Sequence, residues 1–359
     1  MKNRFLTVSA LLLTAGLASV AQAAPPSDGD LVFSDEFSDA VYHLPIGMAP
    51  DLLFSVPDSR LAGITRIGSD WFISDGPFPV LEPSNSRIIK ATGLFSGAPV
   101  VSTFASSGDI QNPIGITYHS GSNSIVGVMN PGKGPPKFDG LLSINSTGTA
   151  TTRLFEEPNP NITPSPRYNA GAYIVQDVNR GNRFLVTCSN GGIDTPDPTQ
   201  DRFVASTLHA FTIGDDLTTT HDYIYDFSSS STGLAETLFE VRGMTIAGDN
   251  VFVSDVLRGE IYKLTLDGTG AVSGISLLLA GLDQPESLIY NPFTNKLIID
   301  EAGELDPSRA RISQINLDGT GYEVLANGFH ARGFAIVPSP GSLALLGLGG
   351  LMAGRRRRA

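Results

Sequence analysis

The chain has 359 residues and a formal net charge of −12, with 36 Asp and Glu against 24 Lys and Arg. An acidic surface of this kind repels phosphate backbones, which excludes nucleic-acid binding as the main function. Only 17% of the residues are charged, and 39 glycines and 24 prolines supply many turns, so the composition excludes a helical bundle and favours short strands. The single cysteine, Cys188, excludes an intramolecular disulfide framework, and no Cys and His spacing matches a zinc site.

Residues 1–23 have the features of a secretory signal peptide. Lys2 and Arg4 precede an apolar run, and Ala-Gln-Ala at residues 21–23 forms a small-residue cleavage site. A membrane anchor is the alternative, but an anchor needs about 20 apolar residues and does not normally end in small residues before a Pro pair. We therefore expect residues 24–337 to form an exported domain.

A unit of antiparallel strands recurs along this domain. Each unit has an apolar strand ending in Asp, a variable loop, an alternating strand and a glycine turn, as in GDNVFVSDVLRGEIYKLTLDGTG at residues 248–270. A short apolar strand precedes each unit, and its head carries a small residue because the innermost strands converge near a common axis. The predicted heads are Gly63, Gly115, Gly171, Gly243, Ser287 and Gly333.

The last head, Gly333, lies too near the C-terminus for its unit to be completed there. The missing part is found at the other end, where GDLVFSDEFSDAVYHL at residues 29–44 matches residues 248–264. We therefore predict an all-β fold, a six-bladed β-propeller whose N- and C-terminal strands share the closing blade and leave no open ring edge. A β-sandwich is the alternative, but it predicts neither a long-period repeat nor a split unit.

The repeats resemble those of a known propeller family. EIYKLTLDGTG at residues 260–270, FVSD at residues 252–255 and the segment 311–336 are similar to the YWTD repeats of low-density-lipoprotein-receptor class B propellers. The resemblance implies a structural aspartate that ties neighbouring blades through backbone hydrogen bonds. This Asp slot holds Val128 in the second blade and Cys188 in the third, and in the other blades it holds Asp35, Asp75, Asp255 and Asp300.

The predicted working face is the one on which the chain enters the inner strands. Long loops on a rigid scaffold commonly form binding surfaces, and the loops on this face are enlarged at residues 76–85, 130–139, 189–204 and 301–310. The predicted residues at the mouth of the central channel are Asn169, Arg242, Glu286 and Arg332. They would either bind an anionic or hydroxyl-rich ligand through arginine hydrogen bonds, or form an Arg-Glu network that plugs the channel.

A metal in the channel is a second possibility for this face. Some six-bladed propellers that act as lactonases hold one metal in the channel with Glu, Asn and Asp ligands, types that Glu286, Asn169 and Asp255 would supply for calcium. Arg242 and Arg332 would repel a divalent cation from this place. Two acidic clusters are further calcium candidates or solvated turns, and they consist of Asp300, Glu301, Glu304 and Asp306 in one loop and Asp194, Asp197 and Asp201 in another.

Catalytic signatures are scarce in this sequence. It contains no G-x-S-x-G elbow, no H-E-x-x-H motif and no Walker loop. We therefore predict a non-catalytic binding protein, and a calcium-dependent lactonase-like hydrolase is the alternative. Fold-level analogy is the basis of both readings.

The C-terminal segment 338–359, PSPGSLALLGLGGLMAGRRRRA, has three parts. The motif Pro338, Ser339 and Pro340 precedes 13 apolar or small residues, which end before Arg355, Arg356, Arg357 and Arg358. This tail resembles the PEP-CTERM sorting signal of bacterial exported proteins, although Pro-Ser-Pro stands where that family usually has Pro-Glu-Pro. The resemblance implies an exosortase-type processing enzyme as a partner and only transient membrane association through the tail.

These features together indicate an exported protein of the cell envelope or the extracellular matrix. An exopolysaccharide and other envelope proteins are the candidate partners of such a domain. Removal of both ends would leave 18 basic against 36 acidic residues, which favours solubility outside the cell.

Overall fold

The computed structural model describes residues 26–76, 86–130, 140–156, 171–189, 205–303 and 306–338. The strands in these ranges are β1 (Leu31–Asp35), β2 (Ala40–Leu44), β3 (Asp51–Ser55), β4 (Leu61–Ile67), β5 (Asp70–Asp75), β6 (Arg87–Thr92), β7 (Val100–Ala105), β8 (Pro113–His119), β9 (Ser124–Met129), β10 (Gly140–Asn145), β11 (Thr151–Glu156), β12 (Gly171–Asp177), β13 (Arg183–Cys188), β14 (Thr207–Ile213), β15 (Thr219–Asp226), β16 (Val241–Ala247), β17 (Asn250–Asp255), β18 (Glu260–Leu266), β19 (Val272–Ala280), β20 (Pro285–Asn291), β21 (Lys296–Glu301), β22 (Arg311–Asn316), β23 (Glu323–Asn327) and β24 (Ala331–Ile336). A short helix, α1 (Ser229–Thr232), and a 3-10 turn at Val178–Arg180 complete the described elements. Within the same ranges, no helix is long and apolar enough to cross a membrane.

The strands form six antiparallel sheets of four strands, arranged as the blades of a β-propeller. Blades 1 to 5 consist of β4–β7, β8–β11, β12–β15, β16–β19 and β20–β23, and the closing blade has the order β24-β1-β2-β3. The register pairs Phe33 with Phe334 and Leu31 with Ile336, so the two ends of the domain share one sheet. The predicted six-bladed fold with a split closing blade is confirmed, and the β-sandwich alternative is wrong.

The packing between blades explains why the second strand of a blade is apolar on both faces. In β1, Leu31 and Phe33 pack with Ile298 of blade 5, while the intervening Val32 packs with Ile73 of blade 1. Alternate side chains of a strand point to opposite faces of its sheet, so each blade is covered on both sides by its neighbours. The outermost strands face solvent, and β19 is accordingly exposed along most of its length.

Neighbouring inner strands approach each other closely at their heads. A Cβ atom at Gly63 would clash with the carbonyl oxygen of Ile114 in the next inner strand, so only glycine fits there. The register of β12 corrects one of the predicted heads. Gly171 pairs with Cys188 as Leu61 pairs with Asp75, which makes Tyr173, not Gly171, the counterpart of Gly63.

Hydroxyl side chains tie successive blades together. Ser34 Oγ donates to the carbonyl oxygen of Ala62 in blade 1 at 2.6 Å, and Ser74 Oγ donates to that of Ile114 in blade 2 at 3.1 Å. Thr187 Oγ1 makes the same contact with Arg242 in blade 4, also at 2.6 Å. Each donor directly precedes the Asp slot, so the recurring Ser-Asp pair of the sequence marks a tie that the sequence analysis did not assign.

Candidate functional site

The mouth of the central channel is formed by the residue that precedes each inner-strand head. Half of this ring is small or apolar and half is charged, and its members are Ala62, Ile114, Ala172, Arg242, Glu286 and Arg332. The three charged residues are therefore brought together as predicted. Asn169 lies outside the described residues, and the position expected for it on blade 3 belongs to Ala172.

The charged half of the ring belongs to a network of three arginines and three glutamates. Glu286 at its centre accepts a hydrogen bond from Arg242 Nη1 at 2.5 Å and lies 3.8 Å from Arg332 Nη2. Arg332 Nη1 donates to Glu36 Oε2 at 2.6 Å, and Arg60 Nε donates to Glu36 Oε1 at 2.8 Å. Glu240 completes the network through a short contact with Arg242 Nη2. The predicted Arg-Glu network is therefore present, with three more members than the sequence indicated.

Charge balance keeps this network ionised despite its burial. Burial alone would raise the pKa of Glu286, but Arg242 and Arg332 outweigh it and hold that pKa far below its usual range. Burial would likewise lower the pKa of Arg332, whereas Glu286 and Glu36 raise it above its ordinary value. Each charge in the pair thus depends on its partners, as expected for buried ion pairs.

His330 lies under the network and faces three carboxyl groups. Its Nδ1 is 3.4 Å from Glu36, and its Nε2 is 3.5 Å from Glu286 and 3.6 Å from Asp300. Burial opposes protonation of His330, but these acids outweigh it and raise its pKa. Burial also raises the pKa of Asp300 well above its usual range. His330 Nε2 and Asp300 Oδ2 are both buried and make no hydrogen bond among the described residues, so the contact between them beneath the mouth is electrostatic.

Tyr173 closes the channel below this ring. Its hydroxyl donates to the carbonyl oxygen of Arg332 in the closing blade, on the opposite side of the ring, at 2.7 Å, and it contacts the hydroxyl of Ser287 in blade 5. Burial raises the pKa of Tyr173, so the phenol keeps the proton that it donates. Sequence reasoning missed this residue, although aligning Ala172-Tyr173-Ile174 with Ala62-Gly63-Ile64 places a tyrosine where the other heads are Gly or Ser.

A polar cavity of about 360 Å³ lies above Tyr173. One wall is the ion-pair network, and the other carries the amides and hydroxyl of Asn112, Asn130 and Ser189. Asn112 adopts a left-handed backbone (φ 45°), and its Nδ2 donates to the carbonyl oxygen of Asn130 at 2.7 Å. The volume is within the range of small-molecule sites. The enlarged loops predicted above this cavity lie largely outside the described residues.

The four aspartates predicted for the Asp slot accept hydrogen bonds from backbone N–H groups, each at a different place. The register corrects two of the predicted slots: Glu301 pairs with Pro285 and Met129 pairs with Pro113 as Asp75 pairs with Leu61, so Asp300 and Val128 each lie one residue before the slot. Asp300 Oδ1 accepts from the backbone N–H of Ala331 in the next blade at 2.7 Å, and it does so from the position that Ser74 holds in blade 1. Asp35 and Asp75 instead accept from the residue just before the inner strand of their own blade, at 2.8 Å from His330 N and 3.1 Å from Arg60 N. Both bonds hold the loop that carries the mouth network.

Asp255 differs from the other three aspartates. Its Oδ1 accepts from the backbone N–H of Arg258 at 3.2 Å, and its buried Oδ2 has no hydrogen-bond partner among the described residues. Burial accordingly raises the pKa of Asp255 to about 6. This aspartate does not line the cavity at the mouth.

The predicted calcium ligands are not assembled in the described part of the chain. Glu286 is bound by arginines, Asp255 lies inside its blade, and no group of three or more His, Cys, Asp or Glu residues in the described ranges could hold a metal ion. In the acidic loop after β21, Glu301 is buried and accepts from Arg311 at 2.7 Å, while Asp306 caps Ser308 at an exposed turn. Glu304 and the second cluster, Asp194, Asp197 and Asp201, fall outside the described residues.

Comparison with known proteins shows the fold alone. No family model matches the sequence, and no curated protein matches it. A structure of the nidogen/laminin complex is similar at a TM-score of 0.60 and 14% identity, over 86% of this chain and 97% of that chain. The PQQ-bound aldose sugar dehydrogenase of Streptomyces coelicolor has a TM-score of 0.52 and 14% identity, over 83% and 96%. A putative 6-phosphogluconolactonase of Bacteroides uniformis has a TM-score of 0.53 and 9% identity, over 86% and 99%.

These similar structures include binding proteins and enzymes of the dehydrogenase and lactonase type, and they agree with the propeller that the YWTD-like repeats imply. A fold shared at this level of identity does not assign a function.

Proposed function

We propose that this protein is an exported, non-catalytic propeller of the cell envelope or extracellular matrix that binds a hydroxyl-rich ligand at its channel mouth. The ligand class is that of an exopolysaccharide or another envelope glycan. The observation that carries this proposal is the cavity above Tyr173, where a balanced ion-pair wall faces a wall of amide and hydroxyl groups.

The balance of charge favours a neutral ligand over an anionic one. Arg60, Arg242 and Arg332 are each paired with a glutamate of the same network. An anion would have to compete with these glutamates for the guanidinium groups, whereas a hydroxyl group can donate to a carboxylate and accept from the remaining N–H groups. Sugar hydroxyls therefore match the mixed donors and acceptors of this cavity better than a carboxylate or phosphate does.

Preorganisation supports binding in the same way. Glu286 and Arg332 each expose 9% of their side chains, and their ion-pair partners hold them in place. Asn112 is held by its bond to the backbone of Asn130. A ligand that enters such a site loses little free energy to the ordering of protein side chains.

The position of the chain ends agrees with a tethered or sorted domain. Val337 donates its N–H to the carbonyl oxygen of Asp30 at 2.8 Å, so Val337 lies at the ends of β1 and β24 opposite the mouth. A domain held by its tail would then present the mouth away from the point of attachment.

A calcium-dependent lactonase is not favoured by any of these contacts. Glu286 would have to exchange Arg242 and Arg332 for a divalent cation, and both arginines oppose that cation electrostatically. Addition of calcium should therefore leave the melting temperature unchanged. A calcium-dependent rise in melting temperature that is lost in Glu286→Gln would favour the hydrolase instead.

A glycan array followed by calorimetry tests the binding proposal. We expect neutral glycans to bind more tightly than sulfated or uronic acid glycans. Arg242→Ala should weaken the best glycan by roughly 10-fold to 150-fold, which corresponds to about 1.5–3 kcal/mol for a hydrogen bond to a charged group. Arg153→Ala is the matched control. Arg153 lies on the outer strand β11, away from the mouth, and is paired with Asp109. Equal binding by the wild type and Arg242→Ala would reject the mouth as the site.

Mass spectrometry of the exported protein tests the processing separately. We expect a first residue of Ala24 and the loss of the four arginines at residues 355–358. Recovery of the intact chain from the envelope would reject the sorting proposal and would leave the binding proposal untouched.

A further inference from the structure

We propose that the groove between the closing blade and blade 5, on the face opposite the mouth, is the docking site of the chain's own apolar tail stretch, residues 342–354. The inference does not depend on the ligand proposed for the mouth. Removal of the tail would then uncover this surface.

The groove has a volume of about 430 Å³. It lies between the β1 and β2 ends of the closing blade and the β20–β23 side of blade 5, with Leu44, Pro45 and Ile298 in its apolar lining. Lys296 and Glu323 stand at one side and are 3.6 Å apart. The surface is therefore an apolar groove with a polar edge, unlike the charged mouth.

Large apolar side chains stand exposed around this groove. Ile46 is 58% exposed, Met48 is 56% exposed and Phe293 is 47% exposed. Ile46 and Phe293 meet at Gly29, where a Cβ atom would lie 3.3 Å from Ile46 Cδ1 and 3.0 Å from Phe293 Cβ. Clustered apolar exposure of this kind marks an interaction site more than single exposed residues do.

The tail starts beside the groove. Gly29, which lines it, donates its N–H to the carbonyl oxygen of Val337 at 3.0 Å. Only three residues, 339–341, separate Pro338 from the apolar stretch, and an extended linker of this length spans about 10 Å. Residues 342–354 therefore begin within reach of the groove.

The composition of the stretch suits such a surface. It contains five leucines, one methionine and no charged residue. Exposure of both the stretch and the groove to water is unfavourable, and contact between them removes apolar area from water on both sides. The four arginines that follow would meet an acidic domain, in which Glu323 at the groove is 60% exposed.

Covalent attachment favours the tail over a separate partner. A segment joined to the domain by a short linker has an effective concentration in the millimolar range. A second copy of the chain or a lipid surface must instead compete from solution. Thiol labelling of the groove distinguishes a second copy and a lipid surface from the tail.

Thiol labelling of a cysteine introduced in the groove tests this proposal. The variant Met48→Cys is prepared in the chain that retains its complete tail, and again together with Leu345→Ser, Leu346→Ser and Leu348→Ser, which make the tail polar. The native Cys188 is buried and contributes little background. We expect a maleimide to label the introduced thiol at least 10 times more slowly with the natural tail than with the polar tail.

Val178→Cys provides the matched control, because Val178 is 76% exposed on blade 3. Its labelling rate should be the same with either tail. Equal labelling of the groove thiol in the two chains would overturn the proposal. Protection that persists with the polar tail and grows with protein concentration would overturn it in favour of a second copy, and protection that appears only on adding phospholipid vesicles would overturn it in favour of a membrane.

Discussion

The ion pair between Arg242 and Glu286 should contribute measurably to folding, and Glu286→Gln is the change that tests it. Glu286 exposes 9% of its side chain and Arg242 exposes 30%, so the pair is more buried than an ordinary surface pair, which contributes at most about 1 kcal/mol. Loss of one partner from a fully buried pair costs about 3–5 kcal/mol. Because Arg242 keeps Glu240 and Arg332 keeps Glu36, we expect an intermediate loss of roughly 2–3 kcal/mol.

Chemical denaturation of four proteins measures this loss and its origin. They are the wild type, Glu286→Gln, Arg242→Met and the double variant, in which the methionine keeps part of the apolar stem of arginine. A loss of about 2–3 kcal/mol corresponds to a fall in melting temperature of roughly 3–5 °C for a domain of about 310 residues. The double variant should recover at least about 0.5 kcal/mol relative to the sum of the single changes, which is the lower limit of coupling between residues in contact.

The exposed pair between Arg153 and Asp109 is the control for this cycle. Their atoms are 2.7 Å apart, but the side chains are 46% and 35% exposed. Asp109→Asn should therefore cost less than about 1 kcal/mol. Strictly additive losses at Arg242 and Glu286, or a loss no larger than that of Asp109→Asn, would refute the account of the mouth as a coupled network.

Three further predictions concern the scaffold. The pKa of Asp255 is about 6 in the fold against 3.8 ordinarily, so its ionised carboxylate destabilises the fold above pH 6, and this penalty vanishes below about pH 4. Asp255→Asn should therefore raise the unfolding free energy by up to about 3 kcal/mol at pH 8 but not at pH 4. An equal gain at both pH values would contradict this reasoning. Gly333→Ala should lower the unfolding free energy by about 2 kcal/mol, because its Cβ would clash with the carbonyl oxygen of Ala62. Gly274→Ala is the control in an open position of β19 and should change the unfolding free energy by less than about 1 kcal/mol. Similar effects of the two changes would argue against the close approach of the inner strands. Tyr173→Phe should lower the unfolding free energy by about 1–2 kcal/mol through the loss of its two hydrogen bonds. Tyr118→Phe loses one exposed hydrogen bond to Asn123 and should be nearly neutral. Equal losses would contradict the assignment of Tyr173 as the residue that closes the channel.

The fold was predictable because closure of the ring divides one repeat unit between the two ends of the sequence. The incomplete unit after Gly333 and the matching segment 29–44 require strands from both ends to meet, and the register of β1 with β24 has this arrangement. The small residues at the heads of the inner strands were predictable as well, since the backbones of these strands approach too closely for most side chains. The exception was Tyr173, because a large side chain in a small-residue position displaced the predicted head by two residues.

The site was predictable only in part. Arg242, Glu286 and Arg332 directly precede their heads, so the spacing of the repeat places them on one ring. Their partner Glu36 lies in the turn between β1 and β2, 296 residues from Arg332 along the chain. Contacts of this kind depend on the closed ring and on the direction of each side chain, which no local pattern in the sequence reports.

The most direct measurement of the central claim is a crystal structure of the protein with the tightest glycan from the array. We expect the sugar ring in the cavity above Tyr173, with its hydroxyl groups hydrogen-bonded to Asn112 on one wall and to Arg242 on the other, and with the glycosidic bonds intact. A glycan bound elsewhere on the propeller with an unoccupied mouth, or a cleaved glycan in the cavity, would contradict a non-catalytic binding site at the channel mouth.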